Sequence, residues 1–211
     1  MPRAQCAICY RPTSYCYCSR IKKVTNSWPV FIVQDVRESR HPIGTARIAA
    51  LSLSQAEMIT LDPDRPDSIG DLLEGAFSRP LRNPVLIYPG DDAGEVNELH
   101  VADPFAGEPR DLLFIDASWG RSLRMLNVFP ALTSLPKFSL GELPVSRYRI
   151  RKQPAIDAVS TLEAIVHTLH LLEPARDFSA MLTTMDWVVD QQIRRMGNKV
   201  YQANYLLRQR K

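Results

Sequence analysis

Residues 111–126 read DLLFIDASWGRSLRML. Four consecutive apolar residues, Leu112 to Ile115, stand between two aspartates. A run that short cannot make a core helix, but it suits a strand covered on both faces, as strands of parallel sheets are. The small pair Ala117-Ser118 and then Trp119 lead into a segment with helical character. A buried strand that ends on a carboxylate beside an indole is unusual. In open parallel sheets, however, ligands bind beyond the carboxyl ends of the strands.

Neighbouring segments extend the pattern. VFIVQDV (30–36), EMITLD (57–62), PVLIYPG (84–90) and LHVAD (99–103) read as further strands. TARIAALSLSQA (45–56) reads as a helix with Ile48, Leu51, Ala49 and Leu53 inward, and DLLEGAF (71–77) as a shorter one. Strands alternating with helices predict an α/β fold, a mostly parallel sheet with helices on both faces. Asp35, Pro89-Gly90 and Asp116-Ala117-Ser118 then fall together at strand ends. The last third turns helical. In STLEAIVHTLHLLE (160–173), Leu162, Ile165, Val166, Leu169 and Leu172 form an apolar stripe, and Ser160 with Glu163 fits a capping box. FSAMLTTMDWVVDQQIRRM (178–196) is a second helix, with its break expected at Gly197-Asn198.

The chain has 211 residues, 45% hydrophobic and 23% charged, enough to bury a core without covalent staples. A net charge of +3 permits a nucleic-acid partner without requiring one. No stretch approaches the roughly 20 apolar residues of a membrane span, and the N-terminal residues lack a signal-like apolar region. A soluble, intracellular protein with no membrane partner is expected.

All four cysteines lie at the start: Cys6, Cys9, Cys16 and Cys18. Four thiolates within so short a span reach one tetrahedral ion, and Cys-x2-Cys is a common half of a structural zinc site. The spacings do not match the familiar iron–sulfur runs. A complete four-thiolate set leaves no open position for catalysis. Residues 1–27 are therefore expected to form a small zinc-binding module tethered to a larger domain, 28–211.

Three further groupings invite a functional reading. Gly44, Thr45 and Arg47 open a helix, where free backbone N–H groups receive anions. SRYRIRKQP (146–154) alternates Arg147, Arg149 and Arg151 along an extended segment with Tyr148 between them, a face suited to a phosphate backbone or to a solvated sheet edge. Glu163, His167 and His170 share one helix face, which reads more simply as a partly solvated face than as a metal site. Walker-type phosphate loops, G-x-G-x-x-G, H-E-x-x-H and G-x-S-x-G are all missing.

The four-cysteine head, Asp116-Ala117-Ser118-Trp119, Tyr148-x-Ile150-Arg151 and Ser160-Thr161-Leu162-Glu163-Ala164 occur in an order that resembles the DTW-domain family, the tRNA-uridine aminocarboxypropyltransferases. The family's Asp-x-Thr-Trp motif is matched with Ser118 for threonine. Gly44 stands where the family more often has asparagine, and Gly120-Arg121-Ser122 departs from the usual residues.

The resemblance implies a SPOUT-like fold with a C-terminal trefoil knot that binds S-adenosylmethionine. It implies transfer of the 3-amino-3-carboxypropyl arm to the imide nitrogen of a uridine in tRNA, by a cytoplasmic monomer or homodimer. Asp116 is then the candidate base, Trp119 a stacking surface for uracil or adenine, and Ser118 a catalytic-site residue without an assigned step. Gly44, Thr45, Arg47, Pro89, Gly90, Arg151, Ser160 and Thr161 are candidates for holding the donor, with Arg47, Arg151 and the amides at Ser160-Thr161 the candidates for its carboxylate. Arg147, Tyr148 and Arg149 are candidates for RNA. A methyltransferase on the same fold, an enzyme acting on ribosomal RNA and a non-enzymatic zinc-stabilised RNA binder remain open.

Overall fold

Every residue of β1 (Val30–Asp35) is buried, as a strand without a solvent face requires. The computed structural model describes residues 4–39, 41, 43–66, 75–100, 110–150 and 159–206. After β1 come a single helical turn, α1 (Val36–Ser39), then α2 (Ala46–Ser52), β2 (Ala56–Leu61), β3 (Val85–Ile87) and the two-residue β4 (Gly94–Glu95). Next are β5 (Leu112–Asp116), α3 (Trp119–Val128), α4 (Pro130–Thr133) and β6 (Lys137–Ser139). The chain continues through α5 (Thr161–Leu172), α6 (Ser179–Met196) and α7 (Asn198–Tyr201). Gly197 separates the last two with φ 81°, a left-handed conformation that ends α6 at little steric cost.

The strands form one six-stranded sheet in the order β2-β1-β5-β3-β6-β4, and every described ladder in it is parallel. Side chains alternate across it. Val30, Ile32, Leu112, Phe114, Val85 and Ile87 face one apolar cluster, covered by α2, α5 and α6. Phe31, Val33, Leu113 and Leu86 face a second, covered by Met125 of α3, by Phe129 between the two helices and by Leu132 of α4. The α/β fold with helices on both faces thus follows from the alternation in three apolar strands.

Some expectations are corrected. The expected helix over 45–56 stops at Ser52, because Leu53 turns away to bridge Val24 and Ala56 already starts β2. The expected strand at 99–103 is not one where it is described: Val96–His100 is a 3-10 helix, and residues 101–103 lie outside the described residues. Of the expected helix at 71–77, residues 71–74 lie outside them and 75–77 are bends. The short strands β4 and β6 carried too little periodicity to be read.

The N-terminal segment packs directly onto the sheet-covering helices. Cys9 and Tyr17 belong to the same buried cluster as α6, Thr184 Oγ1 donates to the Arg20 carbonyl at 3.1 Å, and Val24 N–H donates to the Ser52 carbonyl at 2.8 Å. Across positions 27 and 28, Glu173 Oε1 accepts from both Ser27 and Trp28 N–H, at 2.8 and 3.1 Å.

Candidate active site

The parallel register pairs Gln34 of β1 with Asp116 of β5 at adjacent carboxyl ends. Both side chains follow the parity of Val30, Ile32, Leu112 and Phe114, so they point to the α2/α5 face. Asp116 is 7% exposed. Its Oδ2 accepts from Gln34 Nε2 at 2.8 Å and its Oδ1 from Thr161 Oγ1 at 2.7 Å. The carboxylate is held from both sides and does not cap α3. Ser118, at the N-cap position of α3, makes no capping bond either.

A cavity of about 220 Å³ opens beside this carboxylate, lined by Asp116, Ser118, Gly44, Thr45, His41 and Tyr148 among others. It adjoins a larger one of about 440 Å³, and Glu38, His41, Ile43 and Gly44 form wall common to both. The larger cavity runs from Gln34 and Arg47 to Cys9, Tyr10 and Arg11. Arg47 lines it with its guanidinium 4.3 Å over the Tyr10 ring. Gly44, Thr45, Arg47, Asp116 and Ser118 are therefore brought together along one continuous cleft, and Thr161 touches it through Asp116.

Other candidates are placed elsewhere. Trp119 is 49% exposed and stacks on Tyr88, centroids 5.6 Å apart and planes 6° apart, on the opposite side of the sheet from Asp116. Tyr88 OH bonds Ser122 Oγ at 2.8 Å, fixing the ring on which the indole rests. Pro89 and Gly90 are exposed just beyond Tyr88 and line neither cavity. Asp35 also faces that side, where Oδ2 accepts from Arg121 Nε at 2.7 Å and ties α3 to β1.

Ser160 is 1% exposed, and its capping box with Glu163 is present as expected. That box consumes the Ser160 amide, which donates to Glu163 Oε2 at 2.8 Å, so this N–H does not face a ligand. Glu163 is itself 2% exposed and also accepts from the Arg147 amide at 2.6 Å, whereas His167 and His170 on the same face are partly exposed. On that face His170 Nε2 accepts the Phe178 amide at 3.2 Å, so it holds the turn into α6. Burial lowers the pKa of His167 below its ordinary value, with Glu163 opposing.

The 146–150 stretch has a bend at Arg147 and a turn at Arg149 and Ile150, and is not a strand. Arg147 and Arg149 project to one side, but each pairs with a carboxylate one turn apart on α6, Asp186 and Asp190. Tyr148 is 7% exposed and donates its hydroxyl to the Ile43 carbonyl at 3.2 Å, so it packs inward and floors the smaller cavity. A surface role for Tyr148 is corrected by that burial. Arg151 lies outside the described residues.

The four cysteine sulfurs lie within 4.8 Å of one another. Cys6 to Cys18 and Cys9 to Cys16 are each 3.7 Å apart. A tetrahedron with metal–sulfur bonds of about 2.3 Å has edges of about 3.8 Å, whereas a disulfide would need roughly 2 Å. The donor set therefore fits a divalent soft metal. Tyr10, at φ 58°, makes the tight turn between Cys9 and Arg11. Backbone N–H groups of Cys9 and Ile8 hold the Cys6 thiol down at about 6, whereas burial pushes Cys18 up. Metal uptake would release the remaining thiol protons.

Two cleft residues escaped the sequence reading. Gln34 sits beside Asp35, and only the alternation Val30, Ile32, Gln34 marks it as the one facing Asp116. Arg11 sits inside the four-cysteine run, where a basic residue reads as ordinary surface. It is instead 6% exposed, and burial lowers its pKa, with Tyr17, Cys9 and Tyr148 opposing.

A family model described as the DTW domain matches residues 3–193. The chain is 28% identical over 176 residues to a Drosophila melanogaster protein named tRNA-uridine aminocarboxypropyltransferase 2, covering 81% of this chain and 67% of that protein. Proteins of the same name from Mus musculus and Macaca fascicularis are 27% and 24% identical, each aligned over 81% of this chain and 57% of their own length. The chain thus spans about three fifths of the two mammalian relatives. No solved structure matches it. The matched region takes in the cysteine cluster, both cavities and the Asp116-Ala117-Ser118-Trp119 strand end, and the chain belongs to the DTW domain family.

Proposed function

We propose that the chain transfers the 3-amino-3-carboxypropyl group of S-adenosylmethionine to the imide nitrogen of a uridine in tRNA, releasing methylthioadenosine. The observation that carries this reading is the Asp116 carboxylate, held by Gln34 and Thr161 at the wall of a cavity. It stands in a DTW-family chain whose fly, mouse and macaque relatives are named tRNA-uridine aminocarboxypropyltransferase 2.

The donor supplies an electrophilic methylene carbon next to a sulfonium. The uridine imide is a weak acid and must lose its proton to attack that carbon. Asp116 takes it: a carboxylate offers about four acceptor positions, and two are engaged by Gln34 and Thr161. The N–C bond forms as the C–S bond breaks, and the electron pair remains on sulfur in a neutral thioether. Gln34 and Thr161 orient the carboxylate, and Gly44, Thr45 and Arg47 line the donor side of the cleft. Ser118, its hydroxyl not spent on capping, faces the acceptor base, and Trp119 on Tyr88, across the sheet from Asp116, offers a flat surface for a neighbouring base of the tRNA and not for the reacting uridine.

Zinc in the four-cysteine site is structural, since four thiolates close the coordination sphere. The SPOUT-like arrangement with a C-terminal knot belongs to the same proposal. Its support is the chain after β6, which recrosses the carboxyl edge of the sheet: Tyr148 reaches Ile43, and Thr161 reaches Asp116 two strands away from β6. The 1–27 zinc module, Arg147 and Arg149 form the tRNA grip, with Arg151 a further donor-carboxylate candidate. A cytoplasmic location is part of the reading. Among the described residues, no helix is long and apolar enough to cross a membrane.

The test is Asp116→Asn with S-adenosylmethionine and tRNA. Melting and donor affinity should stay unchanged, while methylthioadenosine release falls by about 10²–10⁴-fold. Undiminished turnover would remove Asp116 from the reaction, and S-adenosylhomocysteine as the product would replace arm transfer by methyl transfer.

A further inference from the structure

Two buried polar groups in the larger cavity lack partners. Arg11 is 6% exposed, and its Nε and Nη1 have no hydrogen-bond partner among the described residues. Gln34 is 1% exposed; its Nε2 is on Asp116, but its Oε1 has none. Both residues line the cavity of about 440 Å³. Burying a guanidinium without a hydrogen-bonded anion is strongly unfavourable, and an orphaned amide oxygen adds to the deficit. A metal held by four thiolates would carry net negative charge near Arg11, but among the described residues no group, sulfur included, hydrogen-bonds to either nitrogen.

The unmet needs have opposite sense. Arg11 lacks an acceptor and Gln34 lacks a donor. A ligand end that presents a carboxylate and an ammonium on one carbon satisfies both. A phosphate would satisfy only the guanidinium and would bring anionic oxygens toward the Gln34 carbonyl oxygen. Resting on the reaction proposed above, we infer that Arg11 and Gln34 form the receptor for the α-amino-acid end of the donor.

The inference gives Gln34 two tasks, one at each end of its amide: it holds Asp116 in the smaller cavity and receives the ammonium in the larger. The wall common to the two cavities, Glu38, His41, Ile43 and Gly44, is then the stretch along which the reacting carbon lies between carboxylate receptor and base. Arm transfer needs the amino-acid end pinned while the methyl group is turned away, so Arg11 is a specificity-determining residue and not a base.

Calorimetry on the full-length, metal-loaded protein tests this with three probes: S-adenosylhomocysteine, its decarboxylated analogue, and methylthioadenosine, which lacks the amino-acid end. The wild type should bind S-adenosylhomocysteine roughly 10- to 100-fold tighter than the decarboxylated analogue. Arg11→Met should reduce that ratio to near one and leave methylthioadenosine affinity unchanged. Arg11→Lys, which keeps the charge, should restore part of the ratio, and the zinc content of both variants should match the wild type. A wild-type ratio near one, or a ratio that survives Arg11→Met, overturns the inference while leaving the proposed reaction intact. Arg11→Met that loses tRNA affinity and keeps the ratio reassigns Arg11 to a phosphate. If Arg11→Met does not fold, Arg11→Lys with an unchanged ratio overturns the inference and with a reduced ratio supports it. A wild type that binds none of the three probes, nor S-adenosylmethionine itself, defeats the proposed reaction along with the inference.

Discussion

Thr161 Oγ1 donates to Asp116 Oδ1 at 2.7 Å, so the first residue of α5 and the last of β5 share a hydrogen bond across 45 positions of sequence. The capping box places Thr161 there. Ser160 and Glu163 fix the start of α5, and the next side chain falls on the carboxylate. Helix start and active-site geometry are therefore one device.

Thr161→Val keeps the shape of that side chain and deletes only the donor. The stability loss should be about 1 kcal/mol, while kcat/KM for arm transfer falls roughly tenfold because Asp116 is held from one side only. Urea melts and steady-state turnover separate the two effects. Equal loss of stability and no loss of turnover would reduce Thr161 to a structural residue.

The cysteine cluster is continuous with the α6 core through Cys9, Tyr17 and Arg20, whose guanidinium lies 4.5 Å over the Trp187 ring. Removing the metal should therefore loosen more than the first turns of the chain. Atomic emission should find one zinc per chain. A strong chelator or Cys16→Ser should lower Tm by about 10 °C or more, a loss of several kcal/mol at this chain length.

Asp111 is fully buried and accepts from Arg79 through both oxygens, at 2.7 Å each, and from the Arg82 amide at 2.6 Å. It anchors the loop before β3 to the start of β5. Asp111 is buried but Arg79 is one-third exposed and can turn to solvent, so Asp111→Ala should cost about 1.5–3 kcal/mol in equilibrium unfolding, the range for losing hydrogen bonds to a charged group. Since it lies at the strand's opposite end from Asp116, the variant should keep kcat near wild type at low temperature.

Burial depresses the pKa of His167 in the folded state below its ordinary value of about 6.5. The unfolded chain binds the proton more readily, so stability is fully present above that value and declines as pH falls from it through the folded pKa. Urea midpoints should drop between pH 7 and pH 5, and His167→Asn should flatten part of that slope. An unaltered slope would assign the acid sensitivity to the carboxylates.

Much of this architecture is local in origin. Apolar runs of four to six residues specify covered strands, the 3.6-residue stripe of Leu162, Ile165 and Leu169 specifies α5, and Ser160 with Glu163 marks its start. The spacing of four cysteines anticipates a cluster because thirteen residues can close one turn around an ion. Less was legible where the signal is a partner far along the chain. Asp35 and Asp116 look alike as strand-end carboxylates, yet strand parity sends one to a salt bridge with Arg121 and the other to the cavity. Arg147 and Arg149 look like a free basic face until α6 presents Asp186 and Asp190.

By itself, then, the sequence determined the parallel α/β layering, the cysteine cluster, the capped helix and a carboxylate at a strand end, because periodicity and short spacing are properties of neighbouring residues. Tertiary structure alone decided that Gln34, 82 positions away, and Thr161, 45 positions away, would grip that carboxylate. It also decided that Arg11 would be buried in the same cleft and that Trp119 would stack on Tyr88 on the other side of the sheet. Those outcomes depend on strand register and on which helix covers which face. Both are set by long-range burial of apolar surface, which no local window of residues records.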